Sequence, residues 1–251
     1  MSANPIRQIF TAKKPFVFFH THVIDRQILD AALAARKSLE IDLSITDEGE
    51  IYVGHPLSHY KSAGLPPPDN LPLEVILREM KAAGLFLVLD CKDVRVLPKA
   101  REIIKDYGPE NSLYHSWSDA LTLNPYLEKW DTIQPNWAGE ELSHAEILKL
   151  RQATDVPMTL SCHRGLTSER LQADGDAIAN RIAEILDGNA EGVSFTMPQG
   201  QLAPVAVMQR LLEHKILTNF SIDIVPPEAR PPIYLGYSDH LELASDPADF
   251  C

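Results

Sequence analysis

Leu85-Phe86-Leu87-Val88-Leu89-Asp90-Cys91, followed by Lys92, is the stretch on which the fold turns. Its five leading residues are apolar without a break, too few for a helix and too apolar for a strand with one wet face. A run of this kind reads as a strand covered on both sides, the habit of parallel strands in α/β proteins. Upstream, residues 71–83 are amphipathic at helical spacing and stop at Gly84, where a left-handed residue commonly closes a helix. Further back, LEIDLSI at Leu39–Ile45 alternates with period two and is a strand. Residues 28–37 before it are rich in helix formers, and 16–22, after Pro15, form another short apolar strand. Asp47-Glu48-Gly49 turns the chain into a short strand, Ile51–Val53. Residues 62–70, with three consecutive prolines, are a loop.

Downstream of Lys92 the same unit recurs. Helices are expected at 94–107, 118–129, 143–152 (Ser143 as cap, Glu146 at its third position), 173–186 and 203–214. Strands are expected at 112–116, 131–134, 157–161, 192–196 and 216–222. The tail from Pro226, with further prolines at 227, 231, 232 and 247, reads as loop or a short last helix. Eight strands alternating with seven helices mean a parallel sheet. In 251 residues they predict a single (β/α)8 TIM barrel spanning 1–251 as one domain. An open doubly wound sheet is the competitor, but no glycine-rich turn follows its first strand.

Composition narrows the function classes. Hydrophobic residues make up 45% and charged residues 23%, which suits a folded globular chain. No apolar run approaches the roughly 20 residues that span a bilayer, and FVFF at 16–19 is too short for a signal segment. A net charge of −12, with no basic cluster longer than two, argues against nucleic acid and against anionic membrane. Cys91, Cys162 and Cys251 form no CxxC and leave an odd thiol, which suits a reducing compartment. The expectation is a cytoplasmic protein acting on a small-molecule or lipid substrate.

In a barrel the active site lies where the strands end, and ionisable residues crowd those ends. His20-Thr21-His22 closes the first strand. Glu40 and Asp42 lie two apart on the second, so both carboxylates share a face, and Leu39, Ile41 and Leu43 share the other. His55 follows the short third strand. Asp90 and Lys92 repeat the two-residue spacing, with Cys91 turned away. Three inward carboxylates, Glu40, Asp42 and Asp90, repel one another unless a positive charge joins them. Oxygen ligands of this kind suit one hard divalent cation, Mg²⁺ or Ca²⁺.

The order of these residues resembles the glycerophosphodiester phosphodiesterase-like barrels. His, E-x-D, His-Pro after a hairpin, and acid-x-Lys carry the likeness, between His20 and Asp93. HVID at 22–25, GHP at 54–56 and LDCK at 89–92 lean toward the phospholipase D toxin and menorin-like branches. The His-Arg-Gly and third-strand Glu usual in the true phosphodiesterases are absent. The resemblance implies a metal-dependent phosphodiesterase cleaving a glycerophosphodiester or a (lyso)phospholipid-type phosphodiester. It implies that Glu40, Asp42 and Asp90 hold the cation and that Lys92 adds a second positive contact to the phosphate. It gives acid and base roles to His22 and His55, with His20 as the substitute for His22. Hydrolysis by water and attack by a neighbouring hydroxyl both stay open.

His20 also opens a rival. H-x-H at the end of a first strand begins the amidohydrolase-like metal barrels, with His115, His163 and Asp223 as further candidates and Zn²⁺ as the fitting metal. That scheme leaves Glu40, Asp42 and Asp90 unexplained. A non-catalytic barrel that binds a phosphorylated ligand is a third reading. Arg164, Trp117, Trp137, Tyr234 and Tyr237 are expected at the rim. His59, His144 and His214 are expected as ordinary loop or helix residues, and Asp239, Glu242, Asp246 and Asp249 as a solvated face.

Overall fold

The computed structural model describes residues 5–92, 95–107, 112–116, 158–161, 168–186, 192–194 and 205–250. In chain order the elements are α1 (Pro5–Ala12), β1 (Phe16–His20), α2 (Arg26–Ala34), β2 (Leu39–Ile45), β3 (Ile51–Val53), α3 (Leu57–Ala63), α4 (Leu73–Ala83), β4 (Leu87–Cys91) and α5 (Val96–Tyr107). There follow β5 (Ser112–Ser116), β6 (Met158–Ser161), α6 (Ser168–Leu186), β7 (Gly192–Ser194), α7 (Val205–Glu213), β8 (Leu217–Ser221) and β9 (Leu235–Ser238). All nine strands lie in one curled sheet, in the order β1-β9-β8-β7-β6-β5-β4-β2-β3. Every neighbouring pair is parallel except β2 with β3. β1 also pairs with β2, through Phe19 beside Leu39 and His20 beside Glu40. β1 thus has β9 on one edge and β2 on the other, and the sheet curls back to meet itself.

Period-two alternation divides the strand side chains between the interior and the helices. Leu39, Ile41, Leu43, Leu87, Leu89 and Cys91 are buried in the larger apolar cluster with Ile76, Leu77 and Met80 of α4. The opposite face carries Phe16, Phe18, Phe86, Val88, Leu217 and Leu235, which form a second cluster closed by Ile9 of α1. The interior therefore changes along its axis. It is aromatic and aliphatic where the strands begin and acidic where they end, with His20, Glu40, Asp42 and Asp90 following those residues on the same faces.

The helix ends obey their local chemistry. The Asp25 carboxylate caps α2 by accepting from Ile28 N–H at 2.8 Å. Gly84 closes α4 at φ +67°, as its position predicts.

Three expectations change. The eighth strand of the curled sheet is β9, drawn from the proline-rich tail that reads as loop or helix; Leu235–Ser238 pairs with both β1 and β8. Residues 131–134 lie outside the described ones, but β5 pairs directly with β6, so no strand stands between those two. Leu57–Ala63 is a helix, which the loop-like reading of the following prolines hid. The helices expected at 118–129 and 143–152 lie outside the described residues. Among those residues no helix is long and apolar enough to cross a membrane.

Candidate active site

β2 places Asp42 at the centre of the cluster. Its side chain is 1% exposed and three cationic or ionisable partners converge on it. His22 Nδ1 stands 3.0 Å from Asp42 Oδ2, and His55 Nε2 approaches the same oxygen at 2.8 Å. Lys92 Nζ lies 3.1 Å from Asp42 Oδ1 and 2.5 Å from Asp90 Oδ2. The register explains the meeting, because Asp42 and Asp90 are direct partners across the β2–β4 ladder. The backbone N–H of Lys92 donates to Leu43 O at 2.8 Å, which carries the β2–β4 pairing one residue past Cys91. His115 of β5 pairs with Asp90 in the same register.

Charge and burial set the protonation of the group. Burial opposes ionisation of Asp42, but Lys92 and the two imidazoles outweigh it and hold its carboxyl well below the usual range. Burial likewise opposes a charged Lys92, and Asp42 and Asp90 reverse that and raise it well above its ordinary value. The hydrogen bond to Asp42 raises His22 against its partial burial. Glu40 behaves differently. Burial, then the nearby Asp90 and Asp42, push its carboxyl well above the ordinary range, with Lys92 the opposing influence.

Lys92 is shared by two of the three acids, Asp42 and Asp90. Asp90 Oδ1 is buried with no hydrogen-bond partner among the described residues. An orphaned carboxylate oxygen beside a buried acid driven toward its neutral form fits a cation-binding site of oxygen donors. Geometry adds a second grouping. Among the described residues, His20, His22 and Asp42 each offer one ligand atom within 4.8 Å of the others, a condition that the three acids do not meet together.

The loops that carry the histidines are tied from below. Asn70 Oδ1 accepts from Ile24 N–H at 2.8 Å, and its amide donates to Val53 O at 2.7 Å and His22 O at 3.2 Å. One side chain therefore joins the end of β1 to the end of β3. Gly54, at φ +137°, leads into His55. A Cβ there would stand 2.8 Å from the Tyr52 ring and 3.2 Å from the Tyr60 hydroxyl, and that hydroxyl accepts from His55 N–H at 3.2 Å. The His22 and His55 rings end 4.9 Å apart, edge to face, and His59 of α3 continues the row at 4.8 Å from His55.

The structure thus brings together His20, His22, Glu40, Asp42, His55, Asp90 and Lys92. His163 and Arg164 lie outside the described residues, as do Trp117, Trp137 and His144. Tyr234 is buried rather than on a rim. His214 bonds Asn180 at 2.9 Å. Asp239 is exposed as expected, yet its Oδ1 accepts from His20 Nδ1 at 2.7 Å; Asp246 pairs with Arg36 at 3.0 Å. The roles of Asn70 and Asp239 escape sequence reading, since a lone polar residue in a loop carries no periodicity, and Tyr60 falls in α3, a helix the sequence did not announce. Gly54 left a trace as the glycine of GHP.

No known family profile and no curated protein matches this chain. Solved structures do. A glycerophosphodiester phosphodiesterase from Parabacteroides distasonis aligns with 91% of this chain and 95% of its own, at TM-score 0.51 and 12% identity. Two proteins assigned as glycerophosphoryl diester phosphodiesterases align similarly. The one from Agrobacterium tumefaciens covers 92% of this chain and 95% of its own at TM-score 0.57 and 13% identity. The one from Silicibacter pomeroyi covers 97% and 95% at TM-score 0.52 and 12% identity. At such identities the likeness is one of fold.

Proposed function

We propose that the chain is a metal-dependent phosphodiesterase, a phosphoric diester hydrolase, built as one domain on a complete (β/α)8 barrel. The observation that carries this reading is the convergence of His22, His55 and Lys92 on the buried Asp42 carboxylate, beside Glu40 and Asp90. The fold shared with glycerophosphodiester phosphodiesterases supports it. Glu40, Asp42 and Asp90 would hold one Mg²⁺ or Ca²⁺. The cation, when bound, supplies charge stabilisation for a phosphoryl group.

The remaining work falls to the side chains. Lys92 neutralises a non-bridging phosphate oxygen. One of His22 and His55 receives the proton of the attacking oxygen, and the other gives a proton to the departing alkoxide. Both imidazoles are aimed by the same Asp42 oxygen, so each keeps one nitrogen directed away from it. HVID, GHP and LDCK support a leaning toward the toxin and menorin-like branches, and with it a glycerophosphodiester or a (lyso)phospholipid as substrate.

A second reading rests on a separate observation. The His20, His22 and Asp42 atoms packed within 4.8 Å of one another form a two-imidazole, one-carboxylate set that suits Zn²⁺, as an amidohydrolase-like hydrolase would need. Hydrolysis of bis(p-nitrophenyl) phosphate by metal-stripped protein, titrated with Mg²⁺, Ca²⁺, Mn²⁺ and Zn²⁺, separates the two. The expected result is turnover restored by a hard cation and lost in Asp42→Asn. Tight Zn²⁺ binding without diester turnover under any hard cation selects the second reading.

A further inference from the structure

His20 has a carboxylate of its own. Its Nδ1 lies 2.7 Å from Asp239 Oδ1, a contact between residues 219 apart in the chain. The Asp239 side chain is 72% exposed, and an exposed aspartate ordinarily swings free. This one is held at its base by a second acid. Asp223 Oδ2 accepts the Asp239 N–H at 2.8 Å, and Asp223 Oδ1 accepts the Ser238 hydroxyl at 2.7 Å. The turns after β8 and β9 are thereby locked together, and the lock delivers Asp239 to His20.

The other neighbours of His20 are parts of the site. Its ring meets His22 edge to face at 4.5 Å and Tyr237 at 5.5 Å. One of its nitrogens lies within 4.8 Å of an Asp42 oxygen and a His22 nitrogen. A neutral imidazole donates from one nitrogen and accepts at the other, and its partner decides which.

We propose that Asp239, held by Asp223, is a positioning residue that fixes His20 as the Nδ1–H tautomer, so that His20 Nε2 accepts a hydrogen bond from the oxygen that attacks the phosphorus. This rests on the diesterase reading and extends it. His22 and His55 share Asp42, whereas His20 is aimed independently from the opposite side of β1. With water as the nucleophile, one O–H gives its proton to His22 or His55, and the other is aligned by an imidazole that takes no part in the contest for Asp42. The arrangement follows the general rule that a carboxylate behind a histidine selects its tautomer and orientation.

The test uses the full chain labelled with ¹⁵N. Two-bond ¹H–¹⁵N spectra report which nitrogen of each imidazole carries the proton, and the His20 signals are identified by their loss in His20→Gln. The parent should show His20 protonated at Nδ1. Asp239→Ala should shift it toward the Nε2–H form, and Asp239→Asn, which still accepts through Oδ1, should keep the parent tautomer. With bis(p-nitrophenyl) phosphate, Asp239→Ala should lower kcat by about 10–100-fold, the usual loss for such a partner, with KM within about twofold. Asp239→Glu should recover most of the loss.

Calorimetric cation affinity should be the same in all these proteins. An unchanged tautomer in Asp239→Ala, or kcat within twofold of the parent, overturns the proposal. So does a loss of kcat matched by a loss of cation affinity. If the parent turns over no diester with any cation, the diesterase reading falls, and the acceptor role with it; the tautomer of His20 still decides whether Asp239 positions it.

Discussion

Asp42 is the residue with most to lose. Its carboxylate is 1% exposed and answers Lys92, His22 and His55 at once. Asp42→Asn keeps the shape and removes the charge, leaving Lys92 to Asp90 alone and the imidazoles without their anion. We expect that variant to lose cation binding by calorimetry and diesterase turnover together, while its far-ultraviolet circular dichroism stays that of the parent. His55→Ala should lower kcat by about 10²–10⁴ on an unactivated diester, the span of one general acid or base. A loss under tenfold removes His55 from the chemistry. The acids and Lys92 were legible because two-residue spacing on a strand fixes which side chains share a face, and the two histidines because they follow strand ends in an order that resembles a known family. Their partition was not. Spacing said that Glu40, Asp42 and Asp90 face inward together, whereas the folded chain gives Asp42 the cations and leaves Glu40 the burden of burial.

Elements reach the site through their ends. β1 and β3 lie one after the other along the same edge of β2, opposite β4, and their loops are joined by Asn70, whose side chain makes three hydrogen bonds to backbone groups. Removing it leaves those groups to find other partners, at a cost of about 1–3 kcal/mol. Asn70→Ala should therefore lower stability by that order in urea titration, and lower kcat beyond it by letting His22 and His55 drift apart. Gly54→Ala is expected to act on the same hinge. It adds a methyl group 2.8 Å from the Tyr52 ring at a backbone angle alanine rarely adopts, and a kcat equal to the parent's would show that the GHP turn is not held as described. Periodicity showed most of the described strands and helices, and Gly84 the end of α4, but neither α1 nor α3. β9 was not legible either, because LGYS at 235–238 is four residues with a glycine among prolines and aromatic neighbours; it is a strand because β1 and β8 leave a gap of one strand between them.

At the scale of the molecule, the interior has an apolar end and a chemical end. Phe16 packs its ring against Phe18, Phe86 and Phe250 at 4.8, 5.5 and 4.9 Å, which joins the first strand, the fourth and the C-terminal turn. Phe16→Ala should cost about 3–5 kcal/mol, read as a shift of the urea midpoint, and a loss under 1 kcal/mol would mean that this cluster collapses without it. The C-terminal segment is strapped across β1 by Ser245, which donates its N–H to Val17 O at 2.8 Å and accepts from Val17 N–H at 3.0 Å.

Asp246 follows in that strap. Slight burial would raise its carboxyl, but the Ala248 N–H and Arg36 outweigh it and hold it below its ordinary 3.8. A depressed acid contributes stability above its unfolded value and loses it as pH falls through the folded one. The Ala248 amide resonance should therefore move toward an undocked position as pH falls below 3.8, and Asp246→Asn should abolish that acid-side change.

The sequence by itself determined the alternation of strands and helices, the face on which Glu40, Asp42, Asp90 and Lys92 stand, and the presence of two histidines beside them. Those are local matters, fixed by period and spacing. Only the tertiary structure decided that the tail supplies a strand, that Asn70 ties two loops, and that Asp239 reaches His20 across 219 residues. Such pairings depend on which strand edges and turns are left to satisfy once the sheet has curled, and a linear chain does not display them.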